Sequence, residues 1–490
     1  MSGVRRALAF SVGERYLMLV VALGSNMIIA RLLTPEAIGI YSVSLAVIGI
    51  AQVMRDFGVA SYLIQETNLT DSHIRTAFGI LLIMGIGVAG VLLLAAPYIA
   101  TLYHEPAMVS TLRICALNFF LLPFTTVSLA LLRRGMQFKR LAAVNIAASV
   151  AAAVVSVGLA WLGMGVISLA IGSVALNSVT GLGAWIMRTD RRLLLPSLSE
   201  WRRVFSFGAQ SSVTGIVTSL AMDTNDLAVG KIMGFAPVAI LSRAQGLMNM
   251  FHRDLMGAVR NVAYPAYAKA RREEQALEPV YVASVTNVTV VAWPFYGFLS
   301  LFPHQILSIM YGPQWDAAAP LVPVFCLAGA IAAASSLAAS VMLAAGRVDL
   351  VTKVELLFQP FRAVLIVVAA LVFKTTMACA VALVLALLVQ LPMVYAFKQR
   401  CVPNHYASLL HGFKRSACVT AACLAGPAVM ALFASQGGVV GVMWCLSAGV
   451  LCVLGWFAAA IYFRHPLADD PLFLKLVGRL GALFKRAPQP

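Results

Sequence analysis

The sequence is short of charge. Of its 490 residues only 11% are Asp, Glu, Lys or Arg, and only 19 are acidic. A soluble domain carries about a quarter charged residues, so water is not the main solvent of this chain. Catalytic signatures are missing too. There is no GxxxxGK[ST] phosphate loop, no HExxH zinc motif and no GxSxG nucleophile turn. Direct ATP hydrolysis and these hydrolytic chemistries are therefore not expected, and the chain reads as a non-enzyme. The eight cysteines (Cys115, Cys326, Cys379, Cys401, Cys418, Cys423, Cys445 and Cys452) form no CxxC pair and lie mostly in apolar stretches. They read as small packing residues, with no metal and no cofactor expected. No connection is long enough for a separate folded domain outside the membrane. The start, MSGVRRALAFSVGERYLML, lacks a clean small-residue cleavage site and is interrupted by Glu14 and Arg15. It reads as a first helix beginning in the cytoplasm, not as a cleaved leader.

What the chain has is apolar length. It is 61% hydrophobic with a mean hydropathy of +0.89. Its apolar stretches run about 18 to 25 residues, enough to cross a ~30 Å hydrocarbon layer as a helix. The short alternating strands of an outer-membrane barrel are absent. The expected fold is all-α and polytopic, with about fourteen transmembrane helices, since backbone in lipid must be satisfied internally. Candidate spans cover 9–30, 38–64, 74–95, 112–132, 141–162, 166–187 and 204–229. They continue over 238–263, 280–302, 321–345, 351–373, 377–397, 417–435 and 439–463.

The net charge of +17 is distributed as membrane topology requires, which argues against nucleic acid as a partner. Assigning loops alternately puts most basic residues on one side, among them Arg133, Arg134, Arg188, Arg271, Arg347 and Lys398. The other side receives only Arg31, Arg113, Lys231 and Lys374. By the positive-inside rule the basic side is cytoplasmic. The chain is then a multi-pass inner-membrane protein with both termini in the cytoplasm.

An internal repeat is visible at an offset of 200. IARLLTPEAIGIYSVSLA from Ile29 matches VGKIMGFAPVAILSRAQG from Val229, pairing Arg31 with Lys231, Ile40 with Ile240 and Ser42 with Ser242. The same offset pairs Ala9 with Ala209, Ser11 with Ser211 and Asn26 with Asp226. Six helices separate the repeat starts, so the halves share one topology about an axis along the membrane normal. The expected organisation is a six-helix bundle over 1–190, a second over 200–400, an added helix pair over 415–465 and a cytoplasmic tail over 466–490.

Polar side chains within the spans fall on helical stripes. Ser242, Gln245, Asn249, Arg253 and Arg260 share one face of the eighth span. Tyr41, Ser44, Gln52 and Arg55 share one of the second, and Thr352, Glu355, Gln359 and Arg362 one of the eleventh. Ionisable groups at such depth are costly unless they face protein or water. The alternative reading is snorkelling and interhelical hydrogen bonding, open above all for Arg260 and Glu14 near helix ends. The topology puts Arg15, Arg55, Arg253, Arg260 and Arg362 in the cytoplasmic half, where guanidinium forks suit phosphate or pyrophosphate. Arg15, Arg55, Gln245, Asn249, Arg253, Arg260, Gln359 and Arg362 are the substrate-binding candidates. Glu14, Asp223, Asp226 and Glu355 are the coupling or gating candidates, although Asp223 and Asp226 can equally pair with Lys231.

The stretch IARLLTPEAIGIYSVSLAVIGIAQVMRDFGVASYLIQ resembles the opening of bacterial Wzx-type lipid-linked oligosaccharide flippases. These are members of the multidrug/oligosaccharidyl-lipid/polysaccharide (MOP) exporter superfamily. LLRRGMQFKR at Leu131–Arg140, VGKIMGFAPVAILSRA after Asp223, IMYGPQWDAAAPLVPV at Ile309–Val324 and AAGRVD at Ala344–Asp349 are similar to the same family. Pro237-Val238-Ala239 departs from it where a glycine usually follows the outer turn. The resemblance implies two six-helix bundles around a cleft that opens alternately inward and outward. It implies an undecaprenyl-pyrophosphate-linked precursor of O-antigen, capsule or exopolysaccharide, passed from the cytoplasmic to the periplasmic leaflet. A polymerase and glycosyltransferases of the same pathway are the implied partners. A cation-coupled multidrug exporter of that superfamily would favour carboxylates over arginines at depth. A membrane-embedded glycosyltransferase or polymerase would need a larger periplasmic loop or acidic pairs.

Overall fold

In the computed structural model the described residues are 2–55, 59–66, 68–188, 195–201, 224–433, 439–469 and 473; for 2–16, 53–55, 61, 65 and 439–440 only the backbone is described. Among them there is no strand. Among the described residues eleven helices are long and apolar enough to cross a membrane. The chain is therefore an all-helical, multi-pass membrane protein, and its fold class follows from the need to pair every backbone group inside lipid.

By its contacts the chain divides into two compact units, Met1–Ala239 and Ile240–Pro490. The first begins with α1 (Ser2–Leu32), α2 (Pro35–Arg55), α3 (Val59–Gln65) and α4 (Asp71–Tyr103). It continues with α5 (Ala107–Ala116), α6 (Asn118–Arg134), α7 (Phe138–Trp161) and α8 (Ile167–Met187), then α9 (224–233). Here α7 packs on α1 and α8, and α6 on α4 and α8. Helix starts have local causes. Thr70 accepts the His73 N–H at 3.3 Å while His73 Nδ1 accepts the Thr70 N–H at 3.4 Å, a reciprocal cap on α4. The expected fourth span is two helices that meet at Leu117, and the third runs longer at both ends than expected.

The helix α10 (Phe235–Asn249) leads into the second unit. A π-helical turn, Met250–Leu255, joins it to α11 (Met256–Arg272). Then come α12 (Leu277–Leu301), α13 (Pro303–Tyr311), a 3-10 segment Pro313–Leu321, α14 (Val322–Ala333) and α15 (Ala338–Ala344). The unit closes with α16 (Val348–Phe373), α17 (Thr376–Lys398), α18 (Tyr406–Phe433) and α19 (Val439–Tyr462). Hence the expected eighth helix contains a π turn and runs on to Arg272, and the expected tenth is broken at 334–337. Most of the expected seventh span, with Asp223, lies outside the described residues. The final pair α18 and α19 is fastened through α12, where Gly412 lets the backbones close: a Cβ there would lie 2.3 Å from Thr286 Oγ1.

Several basic residues fasten one helix to the end of another. Arg134 donates to the carbonyls of Leu63, Ile64 and Glu66 at the end of α3. Arg140 reaches Met187 O at 3.0 Å at the end of α8, and Arg271 reaches Ala344 O at 2.8 Å at the end of α15. Each cation satisfies last-turn carbonyls that have no helical partner and sits at the negative end of a helix dipole.

Two basic residues expected in solvated loops are instead buried. Lys398 is 0% exposed and Arg188 6%. Lys398 Nζ lies 2.9 Å from Glu278 Oε2 and donates to Pro403 O at 3.1 Å, over the ring of Tyr281. Glu278 Oε1 accepts the His405 N–H at 3.0 Å. The partner that allows Lys398 to be buried is 120 residues away, so local composition gave no warning.

Candidate functional site

The repeat offset reappears in the backbone: α2 starts at Pro35 and α10 at Phe235. Within the first unit these two turns meet. Glu36 Oε2 accepts the Ala236 N–H at 3.2 Å, capping α10 from the other repeat. Gly39 allows the approach, since a Cβ would fall 1.9 Å from Phe235 O. Beside them Tyr103 Oη donates to Leu227 O at 3.0 Å and Lys231 Nζ donates to Leu102 O. Asp226, on α9, is half-buried.

Of the arginine candidates, Arg15 with Glu14 lies in α1 and Arg55 ends α2; their side chains are outside the described set. Gln245 and Asn249 are half-buried on α10. Arg253 sits in the π turn with its side chain 75% exposed, pairing with its neighbour Asp254 at 3.2 Å. Arg260 is half-buried beyond that turn. The π turn matters here. Its i→i+5 bonding inserts a residue into the helical count, so Arg253 and Arg260 do not continue the Gln245 and Asn249 face in α-helical register.

The α16 stripe is brought together inside the second unit. Gln359 is 6% exposed and donates through Nε2 to Glu355 Oε2 at 2.7 Å. Because a carboxylate only accepts, this bond fixes the amide and turns Oε1 away from Glu355. Gln359 Oε1 and Arg362 Nε are both buried with no hydrogen-bond partner. The guanidinium lies 6.0 Å from the Phe358 ring centre. An acceptor and a charged donor, three residues apart on one helical face and both unsatisfied in a low-dielectric interior, are costly unless something else binds there. Such a pair can hold a group that both gives and takes hydrogen bonds, and the arginine can hold an anion.

One further cation lies outside the three polar stripes. Arg243 on α10 lies over the rings of both Tyr311 and Trp315, 4.9 and 4.8 Å from their centres, and the two rings meet edge to face. Arg243 belongs to SRA and the two rings to IMYGPQWD, so the residues were in view; only the tertiary fold joins them. Among the described residues no group of three His, Cys, Asp or Glu side chains could hold a metal.

A helical multi-pass fold with polar groups held inside its apolar helices defines an integral membrane protein. The family model described as polysaccharide biosynthesis protein matches residues 28–320, and the chain belongs to that family. It is 22% identical over 370 residues to the lipopolysaccharide biosynthesis protein WzxC of Escherichia coli (strain K12), covering 74% of each chain. It is 22% identical to the teichuronic acid biosynthesis protein TuaB of Bacillus subtilis (strain 168), covering 61% of this chain and 62% of that one. Its fold is similar to the structure of the lipid II flippase MurJ in an inward closed conformation. That likeness has a TM-score of 0.75 and 11% identity over 94% of this chain and 100% of the other.

Proposed function

We propose that this protein carries a lipid-linked, anionic oligosaccharide from the cytoplasmic to the periplasmic leaflet of a bacterial inner membrane by alternating access. The observation that carries the reading is the unsatisfied pair Gln359 Oε1 and Arg362 Nε inside a membrane helix. Membership of the polysaccharide biosynthesis family supports it, as do the likenesses to WzxC, TuaB and the MurJ fold. In this reading the Arg362 guanidinium takes a phosphate oxygen of the headgroup. Gln359 Oε1 accepts from a sugar hydroxyl or amide, the donor that phosphate lacks. The prenyl chain stays in lipid.

The fuller proposal keeps fourteen transmembrane helices in two six-helix bundles over 1–190 and 200–400, a helix pair over 415–465 and a tail over 466–490, with both termini cytoplasmic. Arg15, Arg55, Gln245, Asn249, Arg253 and Arg260 complete the headgroup path. Glu14, Asp223, Asp226 and Glu355 are candidates for coupling. The donor lipid is an undecaprenyl pyrophosphate, and glycosyltransferases and a polymerase of one pathway supply and consume the cargo.

The test is export. Arg362→Ala and Arg253→Ala proteins, checked for membrane insertion, are expected to abolish surface polysaccharide in a strain lacking the wild-type copy. Normal polysaccharide with both variants would remove the site assignment.

A further inference from the structure

The second unit interrupts two of its membrane helices. One is the π turn Met250–Leu255 between α10 and α11; the other is the gap at 334–337 between α14 and α15. Both leave carbonyls outside the regular i→i+4 ladder, which lipid tolerates only where other groups satisfy them.

Aromatic donors do so at both places. Tyr296 Oη donates to Met248 O at 3.3 Å, at the edge of the π turn. Trp293 Nε1 donates to Ala330 O at 3.0 Å and Tyr395 Oη to Ala334 O at 2.7 Å, on either side of the end of α14. Tyr281 Oη donates to Tyr395 Oη at 3.1 Å, which directs the Tyr395 hydrogen to Ala334. Tyr296 reaches Met248 across a space left by Gly329, where a Cβ would stand 2.4 Å from the ring carbon Cζ. The donors all come from α12 and α17, each one helix through this region apart from the ladder bond lost at Pro294 and at Pro392.

Past the interruptions, α11 and α15 pack along one another, and the Arg271 guanidinium bonds Ala344 O at 2.8 Å. The two short helices are thus tied to each other and joined to α10 and α14 through non-α-helical backbone. Bending a continuous helix would break its own ladder. Bending here exchanges only a few side-chain bonds.

We propose that α11 and α15 form one rigid clamp that swings about paired joints at Met250–Leu255 and 334–337, against a fixed frame of α12 and α17. The hydroxyls of Tyr296 and Tyr395 set the balance between two positions of the clamp. The inference does not depend on the nature of the cargo.

The test is pulsed electron-electron spin resonance on the full chain in lipid nanodiscs, with native cysteines replaced by alanine. Nitroxides are placed at Tyr406→Cys, on α18 beside the frame, and at either Lys269→Cys on α11 or Ala345→Cys at the end of α15. Both pairs are expected to give two distances with matching populations. Tyr296→Phe is expected to shift both population ratios together by about fivefold, the effect of losing one neutral hydrogen bond. A single narrow distance in both pairs, or populations that differ between them, would overturn the proposal. Hydrogen exchange of the unlabelled wild-type chain gives an answer even where a variant fails to fold. Amides at 250–255 and 334–338 are expected to exchange at a common rate, faster than those of α12; unrelated rates would refute the paired joint.

Discussion

Glu36 and Ala236 stand 200 positions apart in the chain and 3.2 Å apart in space, carboxylate oxygen to backbone nitrogen. The contact joins corresponding turns of the two sequence repeats, each where a helix ends and the next begins. It gives a physical use to a duplication otherwise visible only as weak matches. Glu36→Ala removes the cap from α10 and is expected to cost about 1 kcal/mol. Gly39→Ala drives a methyl into the Phe235 carbonyl and is expected to cost about 1–3 kcal/mol. Thermal unfolding in detergent checks both, and equal melting temperatures for Gly39→Ala and wild type would contradict the close approach.

Gln359 offers a separation of stability from function. Removing an orphaned polar atom from a buried site is near neutral or stabilising. Gln359→Leu removes that atom together with the Nε2 bond to Glu355, so it is expected to cost only about 1–2 kcal/mol of stability while lowering export by at least about tenfold, the effect of one lost contact worth ~1.4 kcal/mol. Unchanged export would mean that no cargo reads this amide.

The buried pair Glu278 and Lys398 is expected to behave as a unit. Lys398→Met alone leaves the Glu278 carboxylate uncompensated and is expected to cost about 3–5 kcal/mol. Glu278→Gln alone strands the ammonium with a similar penalty. The double variant is expected to recover much of the loss, and a double-mutant cycle on unfolding free energies measures the coupling. Additive losses would show that the two charges do not depend on one another.

His465 makes the attachment of the chain's last described segment sensitive to acid. The residue is fully buried past the end of α19, with Nδ1 accepting the Leu467 N–H at 3.1 Å and Nε2 3.3 Å from Ser416 Oγ. Burial, then the nearby Arg415 charge, pulls its pKa down from 6.5 to about 4. The unfolded segment binds a proton more readily than the folded one. The neutral ring's contribution is therefore complete above about pH 6.5 and is lost as pH falls toward about 4. The slope should not exceed ~1.4 kcal/mol per pH unit. Melting temperature measured between pH 7 and pH 4 should fall for the wild type and fall less for His465→Gln. Parallel curves would remove His465 as the cause.

Much of the architecture was legible from one dimension because lipid imposes a strong rule. Apolar length and the alternation of basic loops located most helices, and the offset of 200 foretold that α2 and α10 begin at equivalent places. The α16 stripe was legible for the same reason, since residues three and four apart on one helix share a face. Where a helix departs from 3.6 residues per turn the stripe loses its register: the π turn at Met250–Leu255 separates Gln245 and Asn249 from Arg253 and Arg260, and Arg253 is exposed.

By itself the sequence determined that this chain is helical, spans a membrane many times and repeats itself. These are consequences of composition and period, which act locally. Tertiary structure alone decided which cations are solvated and which are buried, because burial of a charge depends on a partner such as Glu278 that lies 120 residues from Lys398. It also decided where helices break, because the freed carbonyls of Met248 and Ala334 are tolerated only where Tyr296 and Tyr395, from other helices, arrive to satisfy them.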